Sequence, residues 1–433
     1  MTQRTNDTTS TVVPRDRAGS PLPWIVAGTA VALAVAVAAM EWVMASVDNP
    51  DPLWDLAVYR GAIQLWLDGG SLYDFLLDHP ARPSGFPFTY PPFAALVLLP
   101  LAVLPTVVAD NLWTLVHFGL VAVMATFVVW RAPRTPSTWL GTNPSRARLV
   151  TWSAGAAIAL MLTFPGLHNV VLGQVSFLVT ALVLVDVGGL VPSRWRGVLV
   201  GIAAALKLTP LIVVPYFLVT RQWRAAAMSV GSFLVATVLA AVVIPQGSWA
   251  YWTRELLDTS RVGEAATVQN KSILGLLARW EVLPAGQTVV WLIVAGIVGL
   301  AALWQARRQY LAGEMVGAAL IVGCASVAVS PISWPHHQSW IVLVAVWLLL
   351  RRRWVLILAG IAILLVYLAG SPFMGQEVLP QLDTDPLPLR LGRELPTVAF
   401  IAVCLLGLPL ADRPARRGSM APSGSPVRGP TAA

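Results

Sequence analysis

Asp55 opens the run Asp55-Leu56-Ala57-Val58-Tyr59-Arg60, a few residues beyond a long apolar segment, in a stretch that also carries Asp48, Asp51, Asp68, Asp74 and Asp78. A carboxylate fixed beside a hydroxyl can take its proton as that oxygen attacks an activated centre, which contributes about 10²–10⁴ in rate. Six aspartates in one loop also make an ordinary acidic surface, and residue type alone does not choose among them. Proximity to the apolar segment favours Asp55, because a base there can meet a substrate held in lipid. Lys207 supplies the complementary charge. It lies in Ala205-Leu206-Lys207-Leu208-Thr209-Pro210 between apolar stretches, and a lysine at the centre of a lipid-facing helix costs about 2.5–3.5 kcal/mol. It needs an anion, an aqueous cavity or a route for its stem to the headgroups. His336 and His337 close the segment Ser330-Pro331-Ile332-Ser333-Trp334-Pro335-His336-His337. Adjacent histidines project differently, so one can point inward while the other turns to water. The plainer reading of this segment is a helix end anchored by interfacial His and Trp. Polar interruptions also occur at His168-Asn169, Gly173-Gln174 and Gln269-Asn270-Lys271-Ser272.

Some chemistries find no support. His79, His117 and His168 are scattered, and no third ligand stands at a zinc-site spacing, so no metal is expected. Cys324 and Cys404 lie inside apolar runs without paired spacing and read as core fillers. Glycine-rich phosphate loops are missing, which leaves a nucleotide site unsupported; no cofactor is expected.

The scaffold for these residues is a membrane protein. The chain has 433 residues, 57% hydrophobic and 12% charged, with a mean hydropathy of +0.71, a balance that no soluble domain of this length carries. Apolar segments fall at 24–46, 92–104, 109–130, 149–164, 172–188, 196–206, 208–220, 225–244, 287–304, 314–329, 338–350, 354–369 and 396–410. They read as helices, because a lipid-exposed backbone must satisfy its own hydrogen bonds. The expected fold is all-α and polytopic, with roughly 11–13 membrane helices and a long first extracytoplasmic loop. The run 24–46 exceeds the ~7–15 apolar residues of a cleaved signal, so it is expected to stay as the first helix. Residues 1–21 and 411–433 are polar and expected to be disordered, flanking one transmembrane domain at 22–410.

The formal charge of +8 sits in clusters between the apolar segments, which points to membrane orientation and away from nucleic acid. Arg194/Arg196, Arg221/Arg224, Arg307/Arg308, Arg351/Arg352/Arg353 and Arg413/Arg416/Arg417 mark the cytoplasmic side, and Arg15/Arg17 belong with them if both termini are cytoplasmic. The loops 47–91, 245–286, 331–337 and 370–395 then face outward across the plasma membrane. Arg131, Arg134, Arg146 and Arg148 agree only if 92–130 makes one net crossing: either 92–104 is re-entrant or this cluster breaks the rule. The stretch 196–221, with arginine at both ends and Lys207-Leu208-Thr209-Pro210 in its middle, predicts a broken helical hairpin whose break lines a cavity.

Taken in order, these stretches resemble glycosyltransferase family 87, the polyprenol-phosphate-mannose-dependent α-1,2-mannosyltransferases within the multi-spanning glycosyltransferase C superfamily. The resemblance rests on Asp55 to Tyr59, Gly85 to Phe93 with its Thr-Tyr-Pro-Pro core, Gly173-Gln174, Ala205 to Pro210 with Trp223 following, Asn270-Lys271-Ser272, and Ser330 to His337. Lys271 departs from the pattern, in which a small or polar residue is more usual. The resemblance implies a polyprenyl-phosphate mannose donor, a glycolipid or lipoglycan acceptor, membrane lipid as the surroundings, and inversion by single displacement. It implies Asp55 as general base, with Lys207 and Arg60 as candidates to neutralise the leaving phosphate. His336 or His337 is implied to bind phosphate or sugar, and Tyr59, Tyr90, Gln174, Asn270 and Trp334 to line the sugar pocket. The rival reading is a secondary transporter or flippase of a sugar or lipid-linked sugar, since broken helices and midplane cations also build transport sites. The acidic first loop and the lack of a second broken segment in the other half disfavour it.

Overall fold

The computed structural model describes residues 53–79, 82–258, 261–368 and 386–410. The apolar run 24–46, the two terminal tails, Asp48 and Asp51 lie outside the described residues. The rest is helical nearly throughout, as a chain with so few charges requires, and it is an all-α polytopic membrane protein.

The first loop is itself folded. Helix α1 (Trp54–Leu67) buries Leu56, Tyr59, Ala62 and Ile63 at helical spacing. A two-stranded antiparallel hairpin follows, β1 (Leu76–His79) and β2 (Arg82–Pro87), with Leu77 opposite Phe86. Gly85 permits the pairing: its φ is +76°, and a β-carbon there would stand 2.9 Å from Leu76 Cβ.

Helices α2 (Pro92–Val103) and α3 (Thr106–Arg131) divide the next apolar stretch at Leu104-Pro105. The 12 residues of α2 reach about 18 Å, short of a ~30 Å hydrocarbon core, whereas the 26 residues of α3 reach about 39 Å. The stretch 92–130 therefore holds a single helix of spanning length, which agrees with the re-entrant alternative for 92–104. Helices α4 (Arg146–Leu162), α5 (Phe164–Leu172) and α6 (Ser176–Val187) come next. Then α7 (Val198–Leu206) ends at Lys207, and a 3-10 turn (Thr209–Ile212) leads into α8 (Val213–Val219). After α9 (Trp223–Val243) and α10 (Pro245–Ala250) come α11 (Ile273–Arg279), α12 (Gln287–Leu311) and α13 (Met315–Val329). The last three are α14 (Ser339–Leu349), α15 (Trp354–Tyr367) and α16 (Leu387–Leu406). Among the described residues, three helices are long and apolar enough to cross a bilayer, around α3, α9 and α12, and six further apolar helices have 10–17 residues.

The arginine clusters collect at one end. Arg131 Nη2 donates to Gly188 O just past α6 at 3.1 Å. The backbone of Thr138 pairs with that of Arg351, with the Arg352 guanidinium over the Trp139 ring. Arg307 Nε donates to Val219 O at 3.1 Å. The broken hairpin closes at this end as well. Arg196 Nη1 donates to Gln222 Oε1 at 3.3 Å, and Gly197 lies so close to Ala225 O that a side chain would not fit. The two short arms α7 and α8 thus start and finish at the basic end, with Lys207 at the break.

Helix α6 is the strut that sets the height of that break. At the basic end its Asp186, fully buried, accepts hydrogen bonds from Gly197 N, Leu199 N and Val200 N at 2.9–3.1 Å, capping α7 from a neighbouring helix. At its other end Ser176 accepts from Lys207. Asp186→Ala leaves those amides without partners, and loss of such a cap costs about 0.5–2 kcal/mol. A lowered Tm in detergent, by differential scanning fluorimetry, is the expected result; an unchanged Tm would show that the cap is dispensable.

Candidate active site

Asp55 is the second residue of α1, where the unpaired N–H groups of a helix start favour negative charge. Its half-buried carboxylate accepts a hydrogen bond from Gln174 Nε2 through Oδ2. The opposite end of that amide fixes its orientation. Gln174 Oε1 accepts from Tyr90 Oη at 2.8 Å and from Tyr59 Oη at 3.2 Å, which leaves the NH2 group for the carboxylate. Tyr73 Oη holds the Tyr90 carbonyl at 2.9 Å.

Lys207 Nζ continues the path from Tyr90. It lies 3.5 Å from Tyr90 Oη, 3.3 Å from Ser176 Oγ and 2.6 Å from His337 Nε2, with the Tyr90 ring centre at 5.2 Å. With Lys207 as an ammonium, which has no lone pair, His337 Nε2 accepts and the neutral ring carries its proton on Nδ1. Burial, then the charges of Lys207 and His168, hold His337 well below the usual histidine range. One polar path therefore joins Asp55, Gln174, Tyr90, Lys207 and His337. Its supports Gln174, Tyr59 and Ser176 are buried, while Asp55, Lys207 and His337 stay partly open. Beside Lys207 and His337 is a cavity of about 30 Å³ whose lining includes Ser176, Thr180, Thr209 and Ser333.

Burial raises Asp55 to about 7, against the Gln174 hydrogen bond and the Lys207 charge, which both lower it. A carboxylate near neutrality is both available as a base and strong enough to hold a proton it receives.

Of the residues singled out from sequence, Asp55, Tyr59, Tyr90, Gln174, Lys207 and His337 come together here. His337 is the histidine that faces the lysine. His336 is buried behind it, its ring stacked on His168 at 5.6 Å. Arg60 goes elsewhere: Nε and Nη2 donate to Leu101 O and Leu104 O at 3.0 and 2.9 Å, closing the C-terminus of α2. Its charge is spent on the fold and does not reach the lysine. Asn270 is fully buried and its amide fully used. Oδ1 accepts from Ser272 N and Ser333 N, and Nδ2 donates to Ala265 O and Pro331 O, so it staples the 265–272 loop to the 331–333 loop. Lys271 is buried with it and donates through Nζ to Arg393 O at 2.9 Å, a packing role that accounts for an unusual residue there. Trp334 lies against the backbone of Gly263. The residues that sequence reasoning passed over are Ser176, two positions after Gln174, and Asp186. An isolated carboxylate inside an apolar run needs donors, and that is the signal by which Asp186 could have been found.

The sequence pattern of glycosyltransferase family 87 matches residues 88–331. A Mycobacterium tuberculosis protein described as a polyprenol-phosphate-mannose-dependent alpha-(1-2)-phosphatidylinositol mannoside mannosyltransferase is 34% identical over 339 residues, 76% of this chain and 77% of that protein. Its Mycolicibacterium smegmatis namesake is 33% identical over 315 residues, 69% of this chain and 70% of its own. A second M. smegmatis protein, described as a phosphatidylinositol pentamannoside mannosyltransferase of the same donor dependence, is 34% identical over 306 residues, 70% of this chain and 71% of its own.

Proposed function

The chain belongs to glycosyltransferase family 87, and from that premise we propose that it transfers mannose from polyprenyl-phosphate mannose to a lipid-anchored mannoside, forming an α-1,2 linkage with inversion. The observation that carries this reading is the continuous path from the Asp55 carboxylate to the Lys207 ammonium. It offers a base at one end and a fixed cation at the other. The acceptor 2-hydroxyl oxygen attacks the mannose C1 and forms the new C–O bond while the C1–O bond to phosphate breaks. Asp55 takes the hydroxyl proton, and the electron pair of the broken bond leaves with polyprenyl phosphate beside Lys207. Neutral His337 holds the lysine in place and, through Nδ1–H, offers a second donor to a phosphate oxygen. The family pattern begins at residue 88, so the role of Asp55 is supported by its geometry and by the Asp55 to Tyr59 motif.

The acceptor class follows the relatives, whose names specify phosphatidylinositol mannosides. The gathering of arginines at the end opposite the site supports a plasma-membrane protein whose site faces away from the cytoplasm.

Because the base works only when ionised, and Asp55 sits at about 7, kcat/KM is expected to rise with pH up to about pH 7. Lys207, Gln174, Tyr59 and Tyr90 face the carboxylate, and the acid limb of the profile reads their combined effect. A flat profile between pH 5 and pH 8, at roughly constant protein stability, would contradict the assignment.

The direct test gives purified protein in proteoliposomes polyprenyl-phosphate [14C]mannose and a phosphatidylinositol mannoside. Formation of an α-1,2 mannosylated lipid is expected. Passage of labelled lipid-linked sugar across the bilayer with no new glycoside would favour the transporter reading instead.

A further inference from the structure

Three neighbouring carbonyls between α5 and α6 each meet a different part of the fold. Val171 O accepts from Leu53 N at 2.7 Å, at the entry to α1. Gly173 O accepts from Trp113 Nε1 at 2.8 Å, and Gln174 O stands 2.8 Å from His117 Nε2. Trp113 and His117 are one turn apart on α3 and so lie on the same face, their rings edge to face at 5.1 Å. Both are buried, and the second ring nitrogen of His117 lies 2.8 Å from the Trp113 carbonyl; a neutral imidazole has one N–H for these two carbonyls, and the tautomer with its proton on Nε2 is the one that donates to Gln174 O.

The turn they hold is the seat of the catalytic helix. Gly173 has a φ of +69°, and a β-carbon there would stand 2.8 Å from Leu56 Cβ, so α1 rests directly on it. Leu53, the residue before α1, is in the left-handed region at φ 65°, a conformation that a leucine keeps only where its surroundings over-determine it. The next side chain along the turn is Gln174, which holds the Asp55 carboxylate.

We propose that Trp113 and His117 are positioning residues for the base: by gripping the carbonyls of Gly173 and Gln174, they fix the Gln174 amide and, through it, the Asp55 carboxylate. Neither side chain needs to touch substrate. The inference rests on Asp55 being the base. Four groups face that carboxylate: Gln174 from the α5–α6 turn, Lys207 from the hairpin break, Tyr59 from α1 and Tyr90 from the loop before α2. Of these, only Gln174 is held by α3. Its hydrogen bond favours the ionised acid, so a loosened Gln174 leaves burial to raise Asp55 further and moves the acid limb to higher pH.

Trp113→Phe keeps an aromatic ring and removes the indole's pyrrole portion with its N–H. In the purified full-length enzyme, kcat is expected to fall about three- to tenfold, with the donor KM changed less than about twofold. The acid limb of the kcat/KM profile is expected to move upward. In a Gln174→Ala background the same substitution should change kcat by less than about twofold, because the route it acts through is already cut. If Trp113→Phe does not accumulate, His117→Gln goes through the same cycle, and as an amide donor it should recover part of the activity that His117→Ala loses. Equal losses in both backgrounds, an unmoved acid limb, or wild-type kcat would overturn the positioning role. Retained transfer by Asp55→Asn would instead remove the base assignment, so the two failures are distinguishable.

Discussion

Asp55→Asn is expected to lose about 10²–10⁴ of the transfer rate in a protein that inserts and purifies like the wild type. Asparagine has the shape of aspartate, and its side-chain oxygen can still accept the Gln174 hydrogen bond, so the start of α1 keeps its contact to the α5–α6 turn. What disappears is the ability to take a proton. Nothing else among the described residues replaces it at that position: Tyr59 and Tyr90 are already committed to Gln174, and Lys207 and His337 to each other. Asp55→Glu separates base strength from placement. It keeps a carboxylate but displaces it by one methylene, and misplacement by about 1 Å can cost up to 10² in rate. The measurement is initial rate of mannosylated lipid formation, normalised to folded protein by gel filtration and Tm. Transfer by the asparagine variant at the wild-type rate would eliminate Asp55 as the base.

Much of this site was legible because its residues are chemically expensive where they sit. Lys207 between two short apolar arms called for a break and for an anion, an aqueous cavity or a route to the headgroups, and it stands at a break beside a small cavity. The arginine clusters specified one end of the molecule, and the short α2 agrees with the re-entrant alternative for the stretch before the cluster at 131–148. Reach and direction were harder to read. Arg60 stands five residues from Asp55 on the same helix, which at about 100° per residue puts it about 140° around from it, and its long side chain leaves toward the carbonyls of α2. Asn270 carries the polarity of a ligand-binding residue, but a buried asparagine with four hydrogen bonds is equally well a staple between loops. The hairpin β1–β2 lies in a short segment broken by proline and glycine, without enough alternation to announce strands. Which of the two histidines faces the lysine depends on the turn Pro335–His337, a local geometry that residue type does not encode.

Lys207→Met should show the second large effect, a fall in kcat/KM of about 10²–10³, and its pattern should identify what the ammonium does. Methionine fills most of the same space, so packing around the hairpin break is preserved while the charge is lost. Three N–H groups of Lys207 are already directed at Tyr90, Ser176 and His337, and the contacts to Tyr90 and Ser176 are the long ones at 3.5 and 3.3 Å. A phosphate oxygen can displace either at little cost and leave the short bond to His337 intact. If the ammonium stabilises charge that develops as the C1–O bond breaks, the loss falls mainly on kcat. The gap between variant and wild type should then narrow with a synthetic mannosyl donor whose leaving group is more acidic than polyprenyl phosphate. If Lys207 only binds the donor, the loss falls on KM and leaving-group acidity makes no difference. The pH profile supplies a third check. The Lys207 charge lowers Asp55, so removing it must shift the acid limb upward, above about pH 7. An unchanged limb would mean that the two groups do not share a field, and the proposed division of labour between base and cation would fail with it.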